Sequence, residues 1–267
     1  MRIARYSSPD GVAFGVVYGD VADLDDGTGS LTVRAIDGHP FAPFQVVGDP
    51  LPLASVRLLS PVLPSKVVAI GRNYADHARE MGTDVPDVPV VFLKPSTSVI
   101  GPGEAIRYPT GVSSEVHYEG ELAVVIGRLC REVPAERAGD VILGFTCAND
   151  VTARDLQRAE QQWGRAKGFD TFCPIGPWIE TEAPSLAADL ELTTTVNGDV
   201  RQRGRTSGMV HNVAALVAHV TEAMTLLPGD VILTGTPAGV GPLAVGDEVS
   251  VSIDGIGTLT NPVASRG

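Results

Sequence analysis

Cysteine is scarce in this sequence, and none of its apolar runs is long. The three cysteines, Cys130, Cys147 and Cys173, form no C-x-x-C pair, which argues against a zinc or dithiol redox motif and favours reduced thiols. No apolar stretch approaches the roughly 20 residues that span a bilayer, and the N-terminal residues lack the apolar segment of a signal peptide. We therefore expect a cytoplasmic protein that does not cross a membrane.

Positive charge is also in short supply. Among the 267 residues there are 20 Lys and Arg but 32 Asp and Glu, which gives a net charge of −12. A chain this acidic is a poor partner for nucleic acid or for an anionic membrane surface. If the protein binds a small anion, local positive side chains or a metal ion must supply the attraction.

Two widespread catalytic motifs are missing as well. The sequence contains no G-x-S-x-G, which argues against a serine hydrolase. A glycine-rich loop at 235–241 lacks the G-x-x-x-x-G-K-[ST] pattern and precedes a predicted strand rather than a helix. Nucleotide binding by this loop is therefore disfavoured.

The patterns that are present predict a mainly β (α+β) protein with a few short helices. Short strand-like runs separated by turns fill residues 1–60, which we expect to form a small N-terminal β domain. Residues 61–267 are predicted to form the second, larger domain. Its strands do not alternate with helices regularly enough for a doubly wound parallel sheet.

Two local signals refine this outline. Asn197-Gly198 lies between two strand-like runs and predicts a hairpin with a type I′ turn. Further on, Ser207 is a candidate N-cap for a helix over about residues 209–224.

The segment His117-Tyr118-Glu119-Gly120-Glu121 places two carboxylates at the head of an apolar, β-branched run. On a strand, Glu119 and Glu121 would point to the same face, about 6.6 Å apart along the chain. Like charges on one face repel unless something positive lies between them, and a hard divalent cation would serve. Taken alone, the pair also fits a solvated acidic strand edge.

A third carboxylate follows the next buried strand. Asn149-Asp150 ends the apolar run over 141–148, and Thr152-Ala153-Arg154-Asp155 has the pattern of a capping box opening a helix to about Trp163. Capping would account for Asp155 but leaves Asp150 without a structural role. Asp150 is therefore the better candidate ligand.

A possible general base lies earlier in the chain. Residues 72–82 predict a short helix with Asn73 as N-cap and Gly82 as the C′ residue. His77 and Glu80 are three residues apart, so they share one helix face. A carboxylate beside an imidazole can orient it and raise its basicity, although a solvent-facing pair has the same spacing.

Taken together, these motifs resemble the fumarylacetoacetate hydrolase superfamily. The resemblance spans nearly all of residues 66–262, with the motifs in the family's order and spacing. The matching segments are G-R-N-Y-A-D-H-A-R-E-M (71–81), F-L-K-P-S-T-S (92–98), H-Y-E-G-E-L-A (117–123), N-D-V-T-A-R-D-L-Q (149–157), K-G-F-D (167–170) and G-D-V-I-L-T-G-T-P-A-G-V-G (229–241).

The resemblance implies a site and a fold. It implies that Glu119, Glu121 and Asp150 hold Mg²⁺ or Mn²⁺, and that His77 and Glu80 form a base dyad on a lid helix. It further implies a mixed β-sandwich roll for residues 61–267, commonly dimeric, so we expect a homodimer. The substrate contacts that it implies are Lys167 for a carboxylate, with Arg72, Tyr74, Arg154, Gln157 and Thr236 in the pocket.

The reaction is less well specified than the family. The resemblance implies a small anionic 2-keto or 2-hydroxy-dienoic mono- or dicarboxylic acid, bound to the metal and converted through an enolate, in aromatic or keto-acid catabolism. That enolate can undergo C–C hydrolysis, oxaloacetate-type decarboxylation, or isomerisation as in 2-hydroxyhepta-2,4-diene-1,7-dioate isomerase. A non-catalytic binding protein on the same fold is disfavoured, because it would have no need of His77, Glu80 and Lys167.

Overall fold

The computed structural model describes residues 1–19, 31–182 and 189–266, and strands predominate in it. The described residues form three sheets. The large sheet contains β1 (Arg2–Ser8), β2 (Gly11–Tyr18), β3 (Thr32–Asp37), β4 (Gln45–Val46), β5 (Leu51–Pro52), β6 (Arg57–Leu59), β7 (Val67–Gly71), β8 (Val90–Lys94), β9 (Val99–Ile100), β12 (Gly120–Ile126), β13 (Ile142–Asn149), β15 (Cys173–Glu180) and β18 (Val231–Leu233).

Two smaller sheets and a few short helices complete the fold. The second sheet contains β10 (Ile106–Tyr108), β16 (Glu191–Val196), β17 (Asp199–Arg205), β20 (Glu248–Ile253) and β21 (Gly257–Ser265), and the third contains β11 (Val116–Tyr118), β14 (Thr152–Ala153) and β19 (Gly241–Pro242). The α-helices of the described ranges are α1 (Ala75–Glu80), α2 (Arg154–Ala159), α3 (Gly164–Lys167) and α4 (Val213–Ala223). This mainly β architecture with few short helices confirms the predicted fold class.

The core lies on both faces of the large sheet. Alternate residues of β12 point to opposite faces, so Leu122 and Val124 join one apolar cluster while Ala123 and Val125 join another. The first cluster also holds residues of β16, β20 and α4, which cover that face of the sheet. Burial on both faces explains why β12 reads as a continuous apolar run rather than an alternating one.

The order of the strands brings four chain segments to one end of the large sheet. β12 runs antiparallel to both β13 and β18, and β18 runs parallel to β7. The start of β12 therefore lies beside the ends of β13, β18 and β7. This arrangement gathers residues that are far apart in sequence around a common edge.

The N-terminal strands extend this same sheet. β1 pairs with β15 through Arg2↔Glu180 and Ile3↔Ile179, and β2 and β3 follow outward. The predicted N-terminal β module is therefore joined to the rest of the chain by backbone pairing. Its division from the remainder at residue 60 stays a prediction.

The predicted hairpin is confirmed, whereas the predicted cap of the last helix is wrong. Asn197 and Gly198 both have positive φ angles, 53° and 83°, between β16 and β17, as a type I′ turn requires. α4 begins only at Val213, because Asn212 rather than Ser207 caps it by accepting from the Ala215 N–H at 3.0 Å.

The predicted N-cap of α1 is also wrong. α1 begins after Tyr74 without a side-chain cap. Asn73 instead ties two distant segments together, since its amide donates to His211 O and Thr234 O and accepts from His211 N. Gly82, with φ 67°, does follow the end of the helix as predicted.

The predicted capping box is a third correction. α2 starts at Arg154 and ends at Ala159, well before Trp163. The Thr152 hydroxyl donates to Asp150 O rather than capping the helix. Asp155 accepts hydrogen bonds from the Ser113 hydroxyl and the Ser114 N–H, so its role is still structural.

No helix within the described ranges is both long enough and apolar enough to cross a bilayer.

Asp230 lies at the starts of β7 and β18, at the end of these strands that is opposite to the common edge. This buried carboxylate accepts from the backbone N–H groups of Ser65, Lys66 and Leu227 and from the Lys66 ammonium at 2.6 Å. Burial would raise the pKa of Asp230, but the bonds from Lys66 and Ser65 outweigh it and lower that pKa. Asp230 therefore holds the starts of the two strands whose far ends reach the common edge.

We expect Asp230→Ala to lower the free energy of unfolding at pH 7 by about 3 kcal/mol or more, because it leaves Lys66 and three backbone donors without their acceptor. Since the folded-state pKa is lowered, the contribution is present above the unfolded pKa of about 3.9 and is lost as the pH falls through the folded value. Urea unfolding at pH 7 and at pH 3 measures both effects. Asp140→Ala, which removes an exposed partner of Arg137, should cost less than about 1 kcal/mol.

Candidate metal centre and active site

Three buried carboxylates meet at the common edge of the large sheet. Oxygen atoms of Glu119, Glu121 and Asp150 lie within 4.8 Å of one another, and the three residues are 4%, 1% and 1% exposed. We call them the acid cluster. The possibility of a solvated strand edge is thereby ruled out.

Backbone pairing brings the acid cluster together. Glu119 lies between β11 and β12, Glu121 is the second residue of β12, and Asp150 directly follows β13. The Asp150 N–H donates to Glu119 O at 2.8 Å. The two glutamates are therefore not on one continuous strand, as the sequence suggested, yet they reach the same site.

Gly120 separates the two glutamates for a steric reason. A Cβ atom at this position would collide with the Thr194 hydroxyl. The Gly120 N–H donates to the buried Gln202 side chain at 2.9 Å, and Gly120 O accepts from the Thr236 hydroxyl at 2.8 Å. Because Gln202 also donates to Thr236, one polar network fixes the backbone between the two carboxylates.

Three basic side chains compensate the acid cluster. Lys167 Nζ donates to Glu119 Oε2 at 2.7 Å and to Asp150 Oδ2 at 2.6 Å. Arg154 donates to Glu119 Oε1, and Lys94 donates to Asp150 Oδ1. A buried carboxylate is tolerated only when it is paired and hydrogen-bonded, and these contacts satisfy that requirement for Glu119 and Asp150.

The partners of Glu121 differ from those of Glu119 and Asp150. Its Oε2 accepts the backbone N–H of Gly235 at 2.6 Å, and no basic side chain in the described part of the chain pairs with it. Burial and the neighbouring Asp150 and Glu119 raise the pKa of Glu121 well above its usual range. For Glu119, burial acts in the same direction, but Arg154 and Lys167 outweigh it and lower the pKa.

The donor set therefore fits a hard divalent cation. Mg²⁺ and Mn²⁺ prefer oxygen ligands, and the acid cluster offers carboxylate oxygens from three residues. A cation there would favour the ionised form of Glu121, whose charge is otherwise uncompensated.

His77 and Glu80 form a contact on α1. His77 Nδ1 lies 3.3 Å from Glu80 Oε2, and His77 is buried. Glu80 also accepts from the Gly239 N–H, at 3.0 Å to Oε1. In the glycine-rich loop 235–241, the Gly235 N–H thus donates to Glu121 and the Gly239 N–H donates to Glu80. These two N–H groups bind carboxylates of the protein itself.

One cavity of about 290 Å³ is lined both by His77 and by Glu119 and Glu121 of the acid cluster. Its lining combines acidic, basic and apolar side chains. The lining residues are Ile70, Gly71, Arg72, His77, Met81, Thr83, Glu119, Glu121, Arg154, Gln157, Arg158, Trp163, Lys167 and Thr236.

Most residues predicted for the site reach this cavity, but three do not line it. Tyr74 is buried without lining the cavity, and its hydroxyl has no hydrogen-bond partner in the described residues. Glu80 lies behind His77, and Asp150 contacts Lys167, which does line the cavity. The structure thus brings His77, Lys167, Arg72, Arg154, Gln157 and Thr236 together around the acid cluster.

Sequence reasoning assigned no role to Lys94, Gln202 or Arg158. Lys94 is almost completely buried, and its Nζ contacts Asp150 and Val151 O. The sequence signal that could have identified Lys94 is its place at the end of an apolar strand, since a lysine is rarely buried without an acidic partner. Nothing in the sequence marks Gln202, whose partners lie on distant segments.

The chain matches known protein families along almost all of its length. Residues 66–264 match the family described as fumarylacetoacetate (FAA) hydrolase, C-terminal, and residues 1–61 match the family described as Rv2993c-like, N-terminal. The first match contains every residue of the acid cluster and of the cavity. Protein Rv2993c of Mycobacterium tuberculosis is 58% identical over 268 residues, which cover 100% of this chain and 99% of that protein.

Two further similarities concern proteins named for a reaction. The crystal structure of 2-hydroxyhepta-2,4-diene-1,7-dioate isomerase from Mycobacterium marinum has a TM-score of 0.91 and 54% identity, covering 100% of this chain and 99% of that one. Oxaloacetate tautomerase YisK of Bacillus subtilis is 42% identical over 223 residues, which cover 79% of this chain and 74% of that protein.

We expect Lys94→Met to lower the free energy of unfolding of the metal-free protein by about 3 kcal/mol, because it removes one partner of a buried ion pair and leaves Asp150 undercompensated. Urea unfolding in the presence of a chelator measures the change. Arg131→Met, which removes an exposed partner of Glu132, serves as the control and should cost less than about 1 kcal/mol. A Lys94→Met protein as stable as wild type would show that Lys94 does not compensate the acid cluster.

Proposed function

The chain belongs to the fumarylacetoacetate hydrolase family and is an enzyme of that family, and we propose that it moves a proton within small 2-keto or 2-hydroxy-dienoic acids as a tautomerase or isomerase. Two of its relatives carry names of this kind, an oxaloacetate tautomerase and a 2-hydroxyhepta-2,4-diene-1,7-dioate isomerase. Both names describe shifts of a proton next to a carbonyl group. Neither name requires a C–C bond to break.

The observation that supports this proposal best is the shared cavity. His77, the two glutamates of the acid cluster and four basic side chains line a single space of about 290 Å³, which suits a small ligand. The basic lining side chains are Arg72, Arg154, Arg158 and Lys167. They provide the local positive charge that an anionic substrate needs in a protein of net charge −12.

In this proposal, Glu119, Glu121 and Asp150 hold Mg²⁺ or Mn²⁺. When bound, such a cation supplies a Lewis acid for the carboxylate and the adjacent oxygen of the substrate. Lys167 and Arg154 both donate to the Glu119 carboxylate, and they can also donate to an anionic ligand. Gln157 and Thr236 add polar groups to the lining of the cavity.

His77 is proposed as the base. With Glu80 ionised, His77 Nδ1 carries the proton and donates to Glu80, which leaves Nε2 free to accept a proton from the carbon next to the substrate carbonyl. Glu80 is itself held by the Gly239 N–H. The same Nε2 then returns the proton to oxygen or to another carbon, which completes the tautomerisation or isomerisation.

Hydrolysis of a C–C bond is the second candidate. A His–Glu pair can activate water as readily as it can abstract a proton from carbon, and this pair is present. Oxaloacetate decarboxylation is a third candidate, in which the keto form loses CO₂ and the electron pair of the broken C–C bond forms the enolate of pyruvate.

A homodimer, a cytoplasmic location and a role in aromatic or keto-acid catabolism remain predictions.

We expect His77→Gln to lower kcat by about 10²–10⁴-fold, because it removes a positioned base. The dissociation constant for Mn²⁺ should stay within about twofold, since His77 is not part of the acid cluster. Stopped-flow rates and calorimetric Mn²⁺ titration measure the two effects. His219→Gln, on α4 and outside the cavity lining, removes an imidazole elsewhere and should change neither. Wild-type turnover by His77→Gln on every active substrate would overturn the assignment of the base.

The fate of the enol is decided by following products in D₂O by NMR with Mg²⁺ or Mn²⁺ present. The panel contains oxaloacetate, acetylpyruvate, fumarylpyruvate and 2-hydroxyhepta-2,4-diene-1,7-dioate. We expect accelerated deuterium exchange or double-bond migration without chain cleavage. Two smaller acids would indicate hydrolysis, pyruvate and CO₂ would indicate decarboxylation, and inertness toward the whole panel would contradict the proposed function.

A further inference from the structure

Gln202 does not line the cavity, yet its side-chain amide bonds to two of the segments that build the site. Gln202 lies on β17 and is 1% exposed. Its Oε1 accepts from the Gly120 N–H at 2.9 Å, and its Nε2 donates to the Thr236 hydroxyl and to Pro237 O, each at 2.8 Å. A glutamine amide has two N–H donors, so both donors of Gln202 are used within the protein.

The Thr236 hydroxyl is also bound to the backbone of the acid cluster. It donates its single hydrogen to Gly120 O at 2.8 Å and accepts from Gln202 Nε2. Thr236 lines the cavity, but a hydroxyl with its hydrogen on Gly120 O has none left to donate to a ligand. Neutral side chains therefore hold both peptide groups that link Glu119, Gly120 and Glu121.

These two side chains take the place of a strand partner for β12. On the side of β12 that faces away from β13, β18 pairs only with Ala123–Val125, so its ladder ends before Gly120. Gly120 is buried, and a buried peptide group without a partner costs about 1–3 kcal/mol. The hydrogen bonds from Gln202 and Thr236 avoid that cost and fix the start of β12.

β17 also packs closely against the glycine-rich loop 235–241. A Cβ atom at Gly204 would lie 2.5 Å from Pro237 Cβ, and a Cβ atom at Gly239 would lie 2.3 Å from Arg201 O. Glycine at both positions allows the strand and the loop to touch. The loop whose N–H groups bind carboxylates of the site is therefore held against the strand that carries Gln202.

We propose that Gln202, together with Thr236, is a positioning residue of the metal centre, which holds Gly120 so that the carboxylates of Glu119 and Glu121 keep the separation that a divalent cation requires. The inference rests on the proposed function, in which these carboxylates hold the cation. Both glutamates adjoin Gly120, so a shift of its two peptide groups moves both side chains. Partners that orient metal ligands typically contribute about 10–100-fold to metal affinity.

Gln202 and Thr236 act through position rather than through charge. Both side chains are neutral, and within the described ranges neither forms a hydrogen bond with a carboxylate oxygen. Lys167, Arg154 and Lys94, in contrast, pair with the carboxylates directly. An apolar side chain of similar size in place of Gln202 or Thr236 leaves the charge of the site unchanged. Any loss of metal affinity then reports a change of geometry.

The test uses the full chain with Mn²⁺ as the probe. Electron paramagnetic resonance gives the Mn²⁺ affinity from the free-ion signal, and the spectrum of the bound ion reports the symmetry of its ligands. The variants are Gln202→Met, Thr236→Val and Thr236→Ser, of which the last keeps the hydroxyl. Thr221→Val is the matched control, because it removes a buried hydroxyl that bonds to Val217 O and the Val133 N–H, outside the cavity lining.

We expect Gln202→Met and Thr236→Val to bind Mn²⁺ about 10–100-fold more weakly than wild type in the absence of any ligand, and to alter the spectrum of the bound ion. Thr236→Ser should stay within about threefold of wild type, because it keeps the hydrogen bond to Gly120 O. Thr221→Val should bind Mn²⁺ as wild type does even if its free energy of unfolding is lower. Urea unfolding with a chelator confirms that each variant is folded. If Gln202→Met does not fold, the comparison of Thr236→Val with Thr236→Ser decides the question.

Three results would overturn the proposal. One is wild-type Mn²⁺ affinity and spectrum in both Gln202→Met and Thr236→Val. Another is a Thr236→Val protein that binds Mn²⁺ normally but loses affinity for oxalate, which would make Thr236 a ligand contact. The third is an equal loss of Mn²⁺ affinity in Thr221→Val. Each leaves the proposed function standing, because wild type still binds the metal. A wild type that binds neither Mn²⁺ nor Mg²⁺ would reject the metal site of the proposed function, and this inference with it.

Discussion

Repulsion among three buried carboxylates is the constraint on which the rest of this structure depends. Because their oxygen atoms lie within 4.8 Å of one another, each pair of ionised carboxylates repels by roughly 3 kcal/mol or more at the effective dielectric constant that suits protein sites. Lys167, Arg154 and Lys94 relieve this repulsion for Glu119 and Asp150. Within the described part of the chain, they leave Glu121 with the Gly235 N–H as its one hydrogen-bond donor, and its pKa is raised by burial and by the repulsion that remains. A divalent cation among the same oxygens would remove that repulsion, so the metal and the folded site stabilise each other.

The fold meets this constraint with elements that are far apart in the chain. β12 and β13 place the acids, the loop after β18 supplies the Gly235 and Gly239 N–H groups, and the loop after β7 leads into the helix of His77. Asp230 anchors the starts of β7 and β18, so both loops leave from strands held at their opposite ends. His77 and the acid cluster therefore belong to one polar network, joined by the glycine-rich loop, and this network supports the proposed proton transfer beside a bound anion.

Much of this arrangement could be predicted from local patterns. The mainly β class, the Asn197-Gly198 turn and the spacing of His77 and Glu80 depend on neighbours in sequence, where periodicity and turn chemistry are informative. Asp150 was singled out because a supposed capping box accounted for Asp155, and that reasoning was wrong in detail, since Thr152 caps no helix. Asp155 is instead explained by Ser113 and Ser114.

What escaped prediction depends on long-range packing. Lys94 is separated from Asp150 by 56 residues, and Asn73 from Thr234 by 161. Such partners are chosen by strand order, which no local pattern encodes. From the sequence, Asn73 suits the N-cap position of a helix. In the structure, its side-chain amide instead forms hydrogen bonds with the backbone of two distant loops. Likewise Tyr74, expected in the substrate pocket, is buried and lies outside the cavity lining, whereas Arg72, two residues before it, lines the cavity.

The central claim is that the acid cluster holds a divalent cation because Glu121 carries an uncompensated charge. The most direct measurement is Mn²⁺ binding, followed by the loss of the free-ion signal in electron paramagnetic resonance, for wild type and Glu121→Gln. Glutamine keeps an acceptor for the Gly235 N–H and removes only the charge. We predict one bound Mn²⁺ per wild-type chain, at least about tenfold weaker binding by Glu121→Gln, and a metal-free variant at least as stable as wild type at pH 7. The last result follows because a carboxyl with a raised folded-state pKa destabilises the fold increasingly as the pH rises above its unfolded pKa of about 4.3, until the folded value is reached. Equal Mn²⁺ affinity in the two proteins, or no binding by wild type, would contradict the account.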